Sequence, residues 1–171
     1  MFTKKSIKAR EWSGKNTNLS IDQKDIYSGF RSVISGMSEE RGFEHTHILP
    51  SYTNSEGFIE YLKKVRKKLG NTPLALFMDQ LTVHKSKEVK PWYEKLNMSI
   101  IYNVSYSPAF NPIESAFSKV KRLFNRQRLN DLVNKKGFNF DRVIMQAFRS
   151  VTQEHCAACV RKSRVLLERS A

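Results

Sequence analysis

Apolar residues along this chain of 171 recur at two spacings, and the switches between them divide it into elements. Phe58, Tyr61, Leu62, Val65 and Leu69 repeat at helical intervals behind Asn54, so a helix is expected from there to about Leu69. Gly70-Asn71-Thr72-Pro73 closes it. Upstream, Ile26 to Met37 and Phe43 to Leu49 are β-rich and joined by a turn at Ser38–Gly42, with glycines in the first run that suit a bulge. Leu74 to Met78 is an unbroken apolar run, the pattern of a strand buried on both faces, and Met98 to Val104 reads as another buried strand. Between them Ser86 to Leu96 reads as a helix that bends or restarts at Pro91, with Trp92 assigned to the core. Ala116, Phe117, Val120, Leu123 and Phe124 mark a helix opening at Asn111-Pro112, a good N-cap followed by a good first helical residue. Leu129 to Gly137 reads as a polar link, and Val143, Ile144, Ala147, Phe148 and Val151 give a last helical region its core face, capped by Asn139 or Asp141. Met1 to Trp12 reads as an edge or near-edge strand before a polar turn at Ser13–Asn16, and Asp22 and Asp25 fall in a further turn. A meander followed by strands alternating with helices is an α/β arrangement.

Two acids stand out against this pattern. Asp79 ends a fully apolar run, where a carboxylate is costly unless something offsets its charge. It is therefore a ligand candidate on physical grounds. Glu114 lies in the first turn of the Pro112 helix, where an acid also stabilises the helix dipole by roughly 0.3–1 kcal/mol without any chemistry. A strand end and a helix start can converge on one point, which is how a protein holds a hard divalent cation.

Asp79-Gln80-Leu81-Thr82-Val83-His84, Tyr106-Ser107-Pro108 and Asn111-Pro112-Ile113-Glu114 together resemble the catalytic core of mariner-type transposases and their bacterial insertion-sequence relatives. The thirty-four residues between Asp79 and Glu114 match that family's spacing. The resemblance runs from about Phe2 to Phe124 and fades over the last forty or so residues. It implies a ribonuclease-H-like fold with a mixed sheet flanked by helices, and metal-dependent DNA cleavage and strand transfer. It also implies Mg²⁺ or Mn²⁺ at Asp79 and Glu114, supporting roles for His84 and Asn111, and transposon-end and target DNA as partners, with a homodimer possible. On this reading residues 1–128 are the catalytic core and residues 129–171 a helical extension of the same domain. The family's first catalytic aspartate aligns ahead of Met1, so the chain alone is expected to be an inactive fragment of such an enzyme. The alternative is a nucleic-acid-binding protein derived from the same fold.

Charge supports either version. Thirty Lys and Arg against sixteen Asp and Glu leave a net +14, an excess that favours a polyanionic partner, nucleic acid before membrane. Lys119, Lys121, Arg122, Arg126 and Arg128 form a basic face continuing from Glu114, suited to a DNA track. Lys63, Lys64, Arg66, Lys67 and Lys68 make a second basic face, either phosphate-facing or simply solvated. No apolar run is long enough to span a membrane, and the first residues lack the apolar core of a secretory signal. An intracellular protein is expected, nuclear if eukaryotic and otherwise cytoplasmic. Cys156 and Cys159 read as small helical residues of a reduced protein, and His45 and His47 as surface histidines on a sheet edge. Arg161-Lys162-Ser163-Arg164 reads as a basic tail.

Overall fold

A computed structural model describes residues 2–3, 30–105, 107–134, 137 and 139–169. Most of the expected Met1–Trp12 strand, the turn after it, and Asp22, Asp25 and Tyr106 lie outside these residues.

Two small sheets carry the strands. β1 (Phe2–Thr3) pairs antiparallel with β2 (Phe30–Ser38), which pairs antiparallel with β3 (Gly42–Leu49) from Ser32↔Leu49 to Ser38↔Gly42. The register slips between Gly36 and Met37, a bulge at one of the glycines that suggested it. α1 (Ser55–Leu69) crosses this sheet, opened by Asn54, whose Oδ1 accepts the Gly57 amide at 2.9 Å, and closed by Gly70 at φ 67°. The helix covers Gly36 so closely that a Cβ there would lie 2.6 Å from Tyr61 Oη.

β4 (Leu74–Met78) and β5 (Met98–Tyr102) form a parallel pair, in register from Leu74↔Met98 to Met78↔Tyr102. Their connection holds a 3₁₀ turn, Thr82–Lys85, and α2 (Lys90–Lys95), which carries Pro91 in its first turn, a restart of the kind the sequence suggested. Leu74, Leu76, Met78 and Ile100 face inward against Phe58, Tyr61, Leu62, Val65, Val89 and Tyr93. The other face is not covered among the described residues. Phe77 and Ile101, partners in register, are 40% and 53% exposed. The expectation of strands buried on both faces is thus corrected: a run of five apolar residues fits a sheet covered on one side as well as on two.

The second core lies where α3 (Pro112–Val133), α4 (Phe140–Arg149) and α5 (Gln153–Glu168) meet the meander. Val120, Phe124, Val143, Ile144, Phe148 and Cys156 fill it, with Val33, Phe43 and Ile48 packed on from the sheet. Phe43 meets Phe148 edge-on at 4.8 Å between centroids. Asn139 caps α4 by accepting the Arg142 amide. Cys156 and Cys159 are free and buried in α5, and burial pushes both thiols up.

Several local readings change. α3 continues through the supposed link to Val133, because Leu129 and Asp131 turn inward and are buried. Tyr93, not Trp92, is the core aromatic of α2; Trp92 is half-buried under the ammonium groups of Lys63 and Lys95, 4.0 and 5.0 Å from its ring. His45 and His47 lie against α1 instead of on an open edge. Their rings are 6.4 Å apart and His45 is 5.9 Å from Tyr61. Arg161, Lys162 and Arg164 belong to α5, where Arg164 pairs with Glu39 at 2.9 Å, so they form no tail. No described helix is long and apolar enough to cross a membrane.

Candidate active site

Asp79 follows the last residue of β4, so the strand fixes its backbone where the sheet ends. Its side chain is 43% exposed, while Oδ1 is buried against His84. The His84 Nδ1 stands 3.1 Å from the main-chain oxygen of Asp79 and 3.0 Å from Oδ1. Both oxygens are acceptors only, so a proton on Nδ1 is shared between them.

His84 is itself held firmly. Its main-chain oxygen accepts from Tyr93 Oη at 2.8 Å and from Tyr102 Oη at 3.2 Å, and its ring packs 4.6 Å from that of Phe58. Burial, followed by the influence of Tyr102, raises the Tyr93 hydroxyl above its ordinary range, so it remains a donor. Two phenols and one aromatic ring thus pin the turn that presents the imidazole to Asp79.

The second acid arrives from the other side. A 3₁₀ turn, Pro108–Phe110, leads into Asn111 and then α3, with Pro112 in its first turn and Glu114 exposed. The main-chain oxygen of Asn111 accepts the Glu114 amide at 3.1 Å. Asn111 stands at the N-cap as expected, but its side chain makes no capping bond. It is 6% exposed and lines a cavity of ≈ 440 Å³ together with Asp79, Gln80, Lys85, Asn103 and Glu114. The two expected acids therefore line one cavity.

Sequence reasoning passed over three other residues of that cavity. Asn103 ends the apolar run of β5; it donates from Nδ2 to Ser107 O at 2.8 Å and from its amide to Met78 O at 2.8 Å. Gln80 Nε2 donates to Asn103 O at 2.9 Å. Lys85 donates to Gln80 Oε1. A polar residue closing each apolar run, as at Asp79 and Asn103, was the signal available.

The expected basic face divides. Lys121, two turns beyond Glu114, lies on the same side of α3 and is exposed. Lys119 and exposed Arg122 face α5, where Lys119 Nζ lies 3.4 Å from His155 Nδ1; burial and these two cations lower the His155 pKa. Arg126 lines a separate groove of ≈ 490 Å³ with Gln127, Asn130, Gln146 and Ser150. Arg128 is completely buried and leaves the basic face. It follows Val120 and Phe124 at intervals of four, so the helix carries it into the core.

Asp79 and Glu114 fit a hard divalent cation. Both donors are carboxylate oxygens lining one cavity, the donor type such a cation prefers. Among the described residues no group of three or more His, Cys, Asp and Glu is placed to hold a metal. A cation bound here would be held by Asp79 and Glu114 and would need further oxygen ligands, from the amides of the cavity, water or substrate.

Comparison with solved structures gives the fold. The catalytic domain of Mos1 transposase, solved with Mg and raltegravir, superposes with a TM-score of 0.59 at 13% identity, covering 81% of this chain and 72% of that one. Mos1 transposase in a paired-end complex with the left transposon end gives 0.65 at 14% identity, covering 94% and 48%. A chain of the simian T-cell lymphotropic virus intasome, in complex with PP2A regulatory subunit B56 gamma, gives 0.54 at 13%, covering 71% and 46%. The chain thus spans less than half the length of the last two, and the shared architecture is that of ribonuclease-H-like transposase and integrase catalytic domains. No protein of curated function matches the sequence significantly. The profile of the DDE superfamily endonucleases matches residues 1–134, across both acids and the elements that carry them, and the chain belongs to that family.

Proposed function

We propose that this chain is the catalytic core of a transposase-type enzyme whose Mg²⁺ or Mn²⁺ is held by Asp79 and Glu114 while it cleaves and joins DNA. The observation that carries this reading is the shared cavity, lined by both Asp79 and Glu114. When bound, the cation stabilises charge developing on the phosphodiester oxygens and activates the attacking hydroxyl or water. The chain's own residues do the rest. Asp79 and Glu114 are the ligands, His84 fixes the rotamer of Asp79, and Asn111 offers an amide to the substrate side. Lys121, on the same side of α3 as Glu114, holds the DNA backbone beside the site.

Residues 129–171 belong, on this proposal, to the same domain as residues 1–128. α3 runs unbroken across that boundary, and α4 and α5 pack on it.

Calorimetric titration with Mn²⁺ tests the site. The wild-type chain is expected to release heat on binding, and Asp79→Ala and Glu114→Ala to lose it. Absent heat in all three, with DNA binding intact, would leave a nucleic-acid-binding protein and end the catalytic reading.

A further inference from the structure

We propose that Lys85 is a phosphate-contacting residue of this cavity: it takes a non-bridging oxygen of the DNA phosphodiester that Asp79 and Glu114 address through their metal. This inference rests on the metal-dependent reading of the site and adds the group that holds the substrate there.

The argument begins with the cation's surroundings. Lys85 lines the same cavity as the two acids but pairs with no carboxylate among the described residues. Its ammonium sits 5.3 Å from the centre of the Tyr102 ring and donates to Gln80 Oε1. Both partners are neutral. A hydrogen bond to an ionised phosphate oxygen is roughly twice as strong as one to a neutral acceptor. The contacts of the free protein are therefore ones that an arriving phosphodiester can outbid without breaking an ion pair.

The cation is also placed independently of substrate. Gln80 is tied to Asn103 O, and Asn103, 5% exposed, is tied in turn to Ser107 and Met78. Tyr102 is fixed by its hydroxyl on His84 O. One 3₁₀ turn thus delivers two neighbouring side chains to two tasks, His84 to Asp79 and Lys85 to the cavity wall. A positive group standing ready beside a metal-binding acid pair lowers the reorganisation needed when a phosphodiester enters.

The test uses the full chain and a fluorescein-labelled short DNA duplex, with affinity measured by anisotropy over a salt series, in Mn²⁺ and in EDTA. The variants are Lys85→Met and Lys85→Arg. One phosphate contact contributes about 0.9 to the slope of log K against log salt, which is roughly eightfold in affinity between 1 M and 0.1 M salt. In Mn²⁺, Lys85→Met is expected to lose that slope and that affinity, while Lys85→Arg keeps most of both. In EDTA the loss is expected to shrink at least threefold, since the phosphate is then no longer drawn to the acids. An equal loss in both conditions makes Lys85 a generic surface contact and overturns the proposal. So does an unchanged slope, or a change in Mn²⁺ affinity with no change in DNA binding. Failure of the wild-type chain to bind Mn²⁺ is a different result; it defeats the metal site itself.

Discussion

Asp79→Asn is expected to cost the metal-free protein little stability while abolishing its response to metal. In the wild type the Asp79 carboxylate stands 3.0 Å from His84 Nδ1. The side chain is 43% exposed, so solvent screens the contact and it contributes about 1 kcal/mol at most. An asparagine keeps the shape and an acceptor oxygen but removes the charge. In a protein of this size, about 1 kcal/mol moves the melting temperature by roughly 2–4 °C. In EDTA the variant is therefore expected to melt level with wild type or a few degrees below it.

Metal widens the difference. At a free Mn²⁺ concentration of about ten times Kd, the wild type gains about 1.4 kcal/mol from binding to the native state alone. The variant, lacking one of the two carboxylates, gains little. Differential scanning calorimetry in EDTA and in Mn²⁺ reads both halves. A variant that melts above wild type in EDTA would refute the stabilising contact with His84. Equal upward shifts with Mn²⁺ in both proteins would refute Asp79 as a ligand.

Three further outcomes follow from particular contacts. Gly36→Ala sets a methyl 2.6 Å from Tyr61 Oη, an overpacking expected to cost about 1–3 kcal/mol in urea unfolding; Tyr61→Phe removes the obstructing atom, and a double variant no better than Gly36→Ala would show the clash to be misassigned. Stability is expected to fall on acidification below about pH 6.5. Burial first, and then Lys64, lower the pKa of His47; for His45 burial leads, followed by His47, Lys64 and Lys68. The unfolded chain therefore binds the protons more readily and is favoured as pH drops through the ordinary histidine value, with Glu60 opposing at His47 and Glu44 close by on Lys68. Urea midpoints equal at pH 7.5 and 5.5 in wild type and in a His45→Gln, His47→Gln variant would contradict this. Lys121→Met is expected to lower the salt slope of DNA binding by about 0.9, whereas Arg128→Met leaves the slope alone and lowers the urea midpoint, since Arg128 is buried.

Arg128 also shows which kinds of information the sequence carries. Its charge placed it on a DNA face, but its position, four residues after Phe124 and eight after Val120, placed it on the buried stripe, and position prevailed. Lys119, Lys121, Arg122 and Arg126 have the same charge and point three ways round one helix, so a count of basic residues overstates a single track. Asp79 and Glu114 were legible because their signals are local: an acid closing an apolar run, and an acid in the first turn after Asn-Pro. Their convergence was not legible from spacing alone; it came from the resemblance, and the cavity supplies its geometry. Lys85 lay beyond either route. An ammonium in a turn is unremarkable until β5 brings Tyr102 beneath it and Asn103 locks Gln80 beside it, seventeen and eighteen residues further along the chain. The same limit explains His45 and His47, whose alternation shows that they share a face but not that α1 covers it. A chemistry that depends on which side chain meets which neighbour is fixed by tertiary contacts, and a single sequence discloses it only where one element carries all the parts.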